Sequence, residues 1–329
     1  MRRETRTDGD QRGEGRGASR LVERASHFLT LTKPSITGLV LITTAAGFVT
    51  ASTAGVDPLL LLHALVGTAL LSGGTNAFNQ ILEREHDARM ARTRSRPLPA
   101  GDLGVIEASA FAGALVLGGT GYLLAAVNGL TALLGFLTAA SYVLVYTPMK
   151  RVSSLSALVG SVPGALPILG GWTAARGTLD AGGWVLFGVV FLWQLPHLLG
   201  LEWLCREEYR EAGFRVLAAE DASGRRSSAR SVGYTLALLP VSLLPLPLGL
   251  AGNAYAAVAA GLGLLYVGSA ARFALRLDED GARGVFLVSL LYLPMLLAVL
   301  VLNGSALEVV GPAATELARI VVGGLLPPA

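Results

Sequence analysis

Asn79, Glu83 and Asp87 recur at four-residue intervals in the stretch from Thr75 to Gly101, TNAFNQILEREHDARMARTRSRPLPAG. A helix carries such positions on one face, so the spacing predicts three oxygen donors side by side. The stretch follows an apolar run, and carboxylates at the end of a membrane helix are costly unless paired or bound to a cation. Oxygen-only donors suit Mg²⁺, which commonly takes one or two carboxylates plus phosphate oxygens. Arg89, Arg92, Arg94 and Arg96 follow directly, and guanidinium groups suit the diphosphate such an ion would carry. The competing reading is a solvated juxtamembrane helix with i,i+4 ion pairs.

Two further constellations bear on that choice. In WQLPHLLGLEWLCREEYREAGF, from Trp193 to Phe214, the residues Glu202, Glu207, Glu208 and Glu211 crowd the end of another apolar run, with Arg206 and Arg210 among them. Two acidic clusters at matched depth suit two Mg²⁺ across a diphosphate. YTPMKR, from Tyr146 to Arg151, adds Lys150 and Arg151 at the end of a third run. These cations are placed to neutralise a leaving group, or simply follow the bias of basic residues to one side of a membrane. His197 follows Pro196 within an apolar stretch. It is either a hydrogen-bonded structural residue or a ligand for a polar substrate group.

The elements that must position these residues are membrane helices. The 329-residue chain is 52% hydrophobic and only 15% charged, with a mean hydropathy of +0.57, against about 25% charged in soluble domains. That excludes an ordinary soluble enzyme, and no feature points to nucleic acid. Its one cysteine, Cys205, excludes an internal disulfide and a multi-cysteine zinc site. About nine runs are long enough to cross a bilayer: 35–53, 59–80, 104–126, 130–147, 155–175, 183–203, 232–250, 254–272 and 284–302. The expected fold is therefore an all-α polytopic membrane protein. It comprises a polar cytoplasmic tail over 1–33 with an interfacial helix near Leu21–Leu31, a membrane domain over 34–304 and an apolar or interfacial segment over 305–329. No signal peptide is expected.

With the N-terminus inside, segments 1–33, 81–103, 148–154, 204–231 and 273–283 hold nearly all of the 26 Lys and Arg. The other side holds only Arg176 and Arg319. The positive-inside rule thus puts the ionisable chemistry on the cytoplasmic face of a multi-pass membrane protein. The matched loops suggest an internal duplication in which the second and sixth runs deliver equivalent acidic faces. Coupling charges of transporters usually sit near the midplane, which counts against a cation-coupled transporter.

The stretch N-x-x-x-E-R-E-x-D-x-x-M-x-R-T-x-x-R-P-L-P-x-G, Asn79–Gly101, resembles the first signature of the UbiA superfamily of intramembrane prenyltransferases. YTPMKR, the P-x-x-G-G-W of Pro167–Trp172, WQ-x-PH and REEY-x-x-AG are similar to further signatures of its haem-farnesylating branch, as is Thr32-Lys33-Pro34. The resemblance implies a bundle with a central cavity opening to the cytoplasmic face of the cell inner membrane. It implies Mg²⁺-dependent transfer from farnesyl diphosphate to haem b, with membrane lipid around the protein and a haem A synthase as a further partner in cytochrome oxidase assembly. Asn79, Glu83 and Asp87 match the first metal site, and Glu207 and Glu208 the second. Lys150, Arg151, Arg94, Arg96 and Tyr146 would serve the diphosphate, and His197 the porphyrin. Quinone precursors and chlorophyllides are the alternative acceptors. Glu85 and Glu208 stand where the branch more often has Asp, Cys205 replaces an aromatic, and Phe214–Leu217 lacks the frequent Pro-Met-Leu-Pro.

Overall fold

The computed structural model describes residues 21–303; most of the expected tail, 1–20, and the 305–329 segment lie outside the described residues. Described in chain order are the helical residues 21–31 (α1), α2 Pro34–Ala51, α3 Pro58–Asp87, α4 Pro97–Ala100, α5 Val105–Ala126 and α6 Gly129–Ala140. A π-helical segment, Ser141–Tyr146, leads into α7 Thr147–Met149. Then come α8 Ser156–Arg176, α9 Ala181–Leu204, α10 Arg206–Glu211, α11 Leu217–Glu220, α12 Arg225–Leu243, α13 Asn253–Arg276 and α14 Glu279–Asn303. Among the described residues eight helical spans, with Gly129–Met149 (α6 through α7) taken as one, are long and apolar enough to cross a membrane.

The expected run at 232–250 differs from the helix found there. α12 starts at Arg225 and stops at Leu243, and its Arg225, Arg226 and Arg230 lower its apolar character. Pro245 and Pro247 follow; they donate no N–H and disfavour helix at the residue before each. The run at 130–147 is helical but not uniformly α. Pro148 cannot donate a backbone hydrogen bond and its ring crowds the turn before it. The ladder there shifts register, and the Thr147 N–H reaches back to the carbonyl of Tyr142, as does the Thr147 hydroxyl at 2.9 Å. Such π-bulges re-aim side chains, often at functional sites.

The helices form a closed ring of packed neighbours: α2 on α3, α3 on α5, α5 on α6, α6 on α8, α8 on α9, α9 on α12, α12 on α13 and α13 on α14, with α14 returning to α2; α2 also packs on α8, and α9 on α14. The largest apolar core lies between α8, α9 and α12–α14 and includes Trp172, Tyr255, Tyr266, Phe273 and Tyr292. Helix starts at the end remote from the charged loops are capped by short polar side chains. Asp57 accepts from Leu59 and Leu60 N–H, Asn128 from Thr131 N–H, and Asp180 from Gly182 and Gly183 N–H. Each satisfies backbone donors of a first helical turn that have no partner within the helix.

Candidate functional site

α3 runs unbroken through its polar end, so its 30 residues carry Asn79, Glu83 and Asp87 on one face, all buried, with 1%, 5% and 1% of their surface exposed. A buried carboxylate without a partner costs several kcal/mol, and each donor of this row has a cation from a different segment. Lys33, at the junction before α2, donates from Nζ to Asn79 Oδ1 at 2.8 Å. Lys150, just after α7, donates to Glu83 Oε1 at 2.8 Å. Arg96, before α4, donates to Asp87 Oδ2 at 2.7 Å. The Asn79 amide in turn donates to Thr147 Oγ1 at 3.2 Å, which ties the row to the π-bulged segment.

The electrostatics follow from burial and neighbours. Burial, with the Arg96 guanidinium nearby, pulls the Lys33 ammonium down to about 7. Burial also opposes a charge on Lys150, yet the Glu83 carboxylate keeps its ammonium protonated well above the usual lysine range. Lys150 lies 4.7 Å above the ring of Tyr146. That ring packs against Gly160 of α8, where a Cβ would collide with it. Arg151 donates to the backbone carbonyl of Leu82 on α3.

The second acidic stretch is built differently from the first, so the expected equivalence of the two faces does not appear. α9 stops at Leu204, and Glu207 and Glu208 ride on the separate short helix α10. Glu207 is exposed and pairs with Arg210 and Arg206. Glu208 turns inward: its Oε2 lies 4.0 Å from Arg92 Nε of the loop after α3. That oxygen is buried with no hydrogen-bond partner among the described residues, as is Glu202 Oε2 at the end of α9. Met90 packs with Ala212, Phe214 and Val216, and the His86 and Phe214 rings lie 4.9 Å apart. The Arg215 N–H donates to the Lys150 carbonyl at 2.7 Å. These contacts hold the loops after α3, α7 and α10 together at one end of the bundle.

Arg94 is exposed and makes no side-chain hydrogen bond or ion pair among the described residues. His197 stands apart from the charged end, at the α9–α14 contact. Its Nδ1 lies 2.7 Å from Ser289 Oγ, and its ring stacks between Trp193 and Phe286 at centroid distances of 5.2 and 5.1 Å. Sequence reasoning gave no site role to Lys33; its one signal was a lysine directly before an apolar helix.

The donor row adjoins a cavity of about 150 Å³ between α2, α3, α6 and α8, with Asn76, Tyr142, Pro163 and Pro167 among its lining residues. Asn76 lies one turn before Asn79 on α3. A row of hard oxygen donors, fringed by cations and one helical turn from the Asn76 end of an apolar cavity, fits an amphiphile with an anionic head. The row also fits Mg²⁺ by donor chemistry. Among the described residues no three His, Cys, Asp or Glu gather into a metal cage. An ion here would share Asn79 and two carboxylates with oxygens of a ligand, as Mg²⁺ typically does.

The sequence and the fold both have counterparts among known proteins. The UbiA prenyltransferase family matches residues 40–293. A protoheme IX farnesyltransferase of Solibacter usitatus (strain Ellin6076) is 42% identical over 285 residues, covering 84% of this chain and 98% of that protein. The structure reported for digeranylgeranylglyceryl phosphate synthase superposes with a TM-score of 0.74 at 19% identity, over 86% of this chain and 99% of the other. A UbiA homolog from Archaeoglobus fulgidus, bound to GPP and Mg²⁺, gives a TM-score of 0.59 at 14% identity, over 83% and 99%. By family match, by sequence relatives and by fold, the chain belongs to the UbiA prenyltransferase family.

Proposed function

We propose that the protein transfers the farnesyl group of farnesyl diphosphate to a vinyl group of haem b, with addition of water, giving haem O and diphosphate. The observation that carries the reading is the buried row of Asn79, Glu83 and Asp87, each held by its own cation, beside an apolar cavity. The choice of acceptor rests on relatives named protoheme IX farnesyltransferase.

Mg²⁺ held by Asn79, Glu83 and Asp87 on one side, and by Glu208 and Glu207 on the other, would supply Lewis-acid neutralisation of the departing diphosphate. The chain's own residues do the rest. Lys150, Arg151, Arg96 and Arg94 offer donors to diphosphate oxygens, and their charge counts most as the C–O bond breaks and negative charge builds. Tyr146 fixes Lys150 from below. Because Lys33, Lys150 and Arg96 are already positioned by the donor row, little reorganisation is needed at the moment of reaction. The apolar cavity keeps water from the allylic cation until the haem vinyl group attacks it. Water then adds to the new cation and its proton is lost.

His197 serves the porphyrin in this reading. The Ser289 hydroxyl donates to the Phe286 carbonyl, so it accepts from His197 Nδ1–H and leaves Nε2 as a lone-pair donor. In this reading the protein lies in the cell inner membrane with its charged end toward the cytoplasm, an orientation supported by the asymmetry of basic residues. Haem O as product makes a haem A synthase the natural partner. The test is turnover of purified, detergent-solubilised protein with haem b, farnesyl diphosphate and Mg²⁺, read by mass spectrometry beside an EDTA control. Haem O formed only with Mg²⁺ supports the whole reading. Prenylation of a quinone precursor but not of haem b would retain the diphosphate site and discard the acceptor.

A further inference from the structure

α9 carries a carboxylate that the donor row and its cations do not use. Glu202 stands two residues before the end of that helix and is 8% exposed. Its Oε2 is buried with no hydrogen-bond partner among the described residues. An ionised carboxylate is costly in such surroundings unless a cation completes it.

The spacing along α9 gives Glu202 a counterpart on α3. Asn79 and Asp87 are an amide and a carboxylate eight residues apart, about 12 Å along the axis. Gln194 and Glu202 repeat the pair on α9, in the same order and at the same interval. The Gln194 amide donates to the Ser161 carbonyl of α8 at 2.8 Å, and its Oε1 fills the space beside Gly164. This side of α9 is thereby turned toward α8.

Two turns further on, Glu202 meets the charged end. Lys150, already bonded to Glu83, is the charge that acts on Glu202. Tyr146, packed on Gly160 of α8, and Tyr209 of α10 both lie in the field of the Glu202 carboxylate. Tyr209 also feels Arg92, whose Nε lies 4.0 Å from the buried Oε2 of Glu208. Two carboxylate oxygens without hydrogen-bond partners thus gather about Tyr209, one from α9 and one from α10. Glu207, by contrast, is exposed and engages Arg210 and Arg206.

We propose that Glu202, together with Glu208, is a ligand of the second divalent ion, and that Glu202 is the counterpart on α9 of Asp87 on α3. The proposal rests on the diphosphate reading of the site and deepens it, adding a donor that lies outside the loop signature. Mg²⁺ commonly takes one or two carboxylates and completes its shell with phosphate oxygens and water. Two glutamates and a diphosphate therefore suffice without a closed protein cage.

The test counts Mn²⁺ bound to the full-length, detergent-solubilised protein by electron paramagnetic resonance, with farnesyl thiolodiphosphate present. Wild type should bind two ions per chain and Glu202→Gln one. Glu208→Gln should lose the same ion, and the double variant no further one. In EDTA, Glu202→Gln should melt no lower than wild type, because it removes an unpartnered buried charge. Two ions bound to Glu202→Gln at wild-type affinity overturn the proposal. So does a lower melting temperature of that variant in EDTA, which would make the carboxylate a structural partner. A single ion in wild type would retain the first donor row and overturn this proposal; no ion at all would overturn the reading of the site as well.

Discussion

The ammonium of Lys150 lies 2.8 Å from Glu83 Oε1, joining residues 67 apart in sequence, with 17% and 7% of their side-chain surfaces exposed. Removing one member of a buried pair strands the other charge, at a cost of about 3–5 kcal/mol. Lys150→Met should lower the melting temperature in detergent and abolish transfer. Adding Glu83→Gln should restore most of the stability and none of the activity. Wild-type melting in the single variant would show that the pair is not structurally coupled.

Asp87 accepts from Arg96, and its backbone carbonyl accepts from Thr93 Oγ1 at 2.8 Å. Asp87→Asn retains the shape of the side chain and loses its charge. Transfer should fall by about 10²-fold or more, while expression and membrane insertion stay normal. Turnover within a few-fold of wild type would remove Asp87 from the metal site.

Chelation supplies a separate check. Stripping divalent cations with EDTA should abolish both turnover and the thermal stabilisation given by farnesyl thiolodiphosphate, and Mg²⁺ should restore both. A ligand present at 100 times its dissociation constant stabilises by about 2.7 kcal/mol, a shift that a melting curve resolves easily. Full stabilisation in EDTA would mean that the cations of the chain suffice.

His197 and Ser289 form a pair whose effect is predicted on one substrate only. Partners that orient a ligating histidine are commonly worth about 10–100-fold in affinity. Ser289→Ala should weaken haem b binding by about that factor, measured by difference absorbance, and leave stabilisation by farnesyl thiolodiphosphate unchanged. Parallel loss of both ligands would indicate a packing role for His197 between Trp193 and Phe286.

Much of the site is legible in the sequence because helical periodicity is a local property. Three donors four residues apart on a helix that does not break must share a face, and α3 does not break before Asp87. Glu207 and Glu208 look equivalent to that face because they sit at the same depth. The non-helical backbone at Cys205 ends the face of α9 and starts a new helix, on which Glu207 and Glu208, being consecutive, point about 100° apart. Hydropathy carries the seventh run on to 250, whereas α12 ends at Leu243. An average over apolar residues does not register that Pro245 and Pro247 stop a helix.

By itself the sequence determined the class of molecule, the row of oxygen donors and the clustering of ionisable groups at one end, since each follows from composition or from spacing along one helix. Only the tertiary structure decided which cation meets which donor. Lys33, Arg96 and Lys150 reach Asn79, Asp87 and Glu83 from three separate segments, and no local pattern encodes a contact across 67 residues. The width of the cavity is likewise tertiary. It depends on how closely α3, α5 and α6 approach one another at its lining residues Leu71, Leu123 and Gly135, a matter of packing between helices that no single helix specifies.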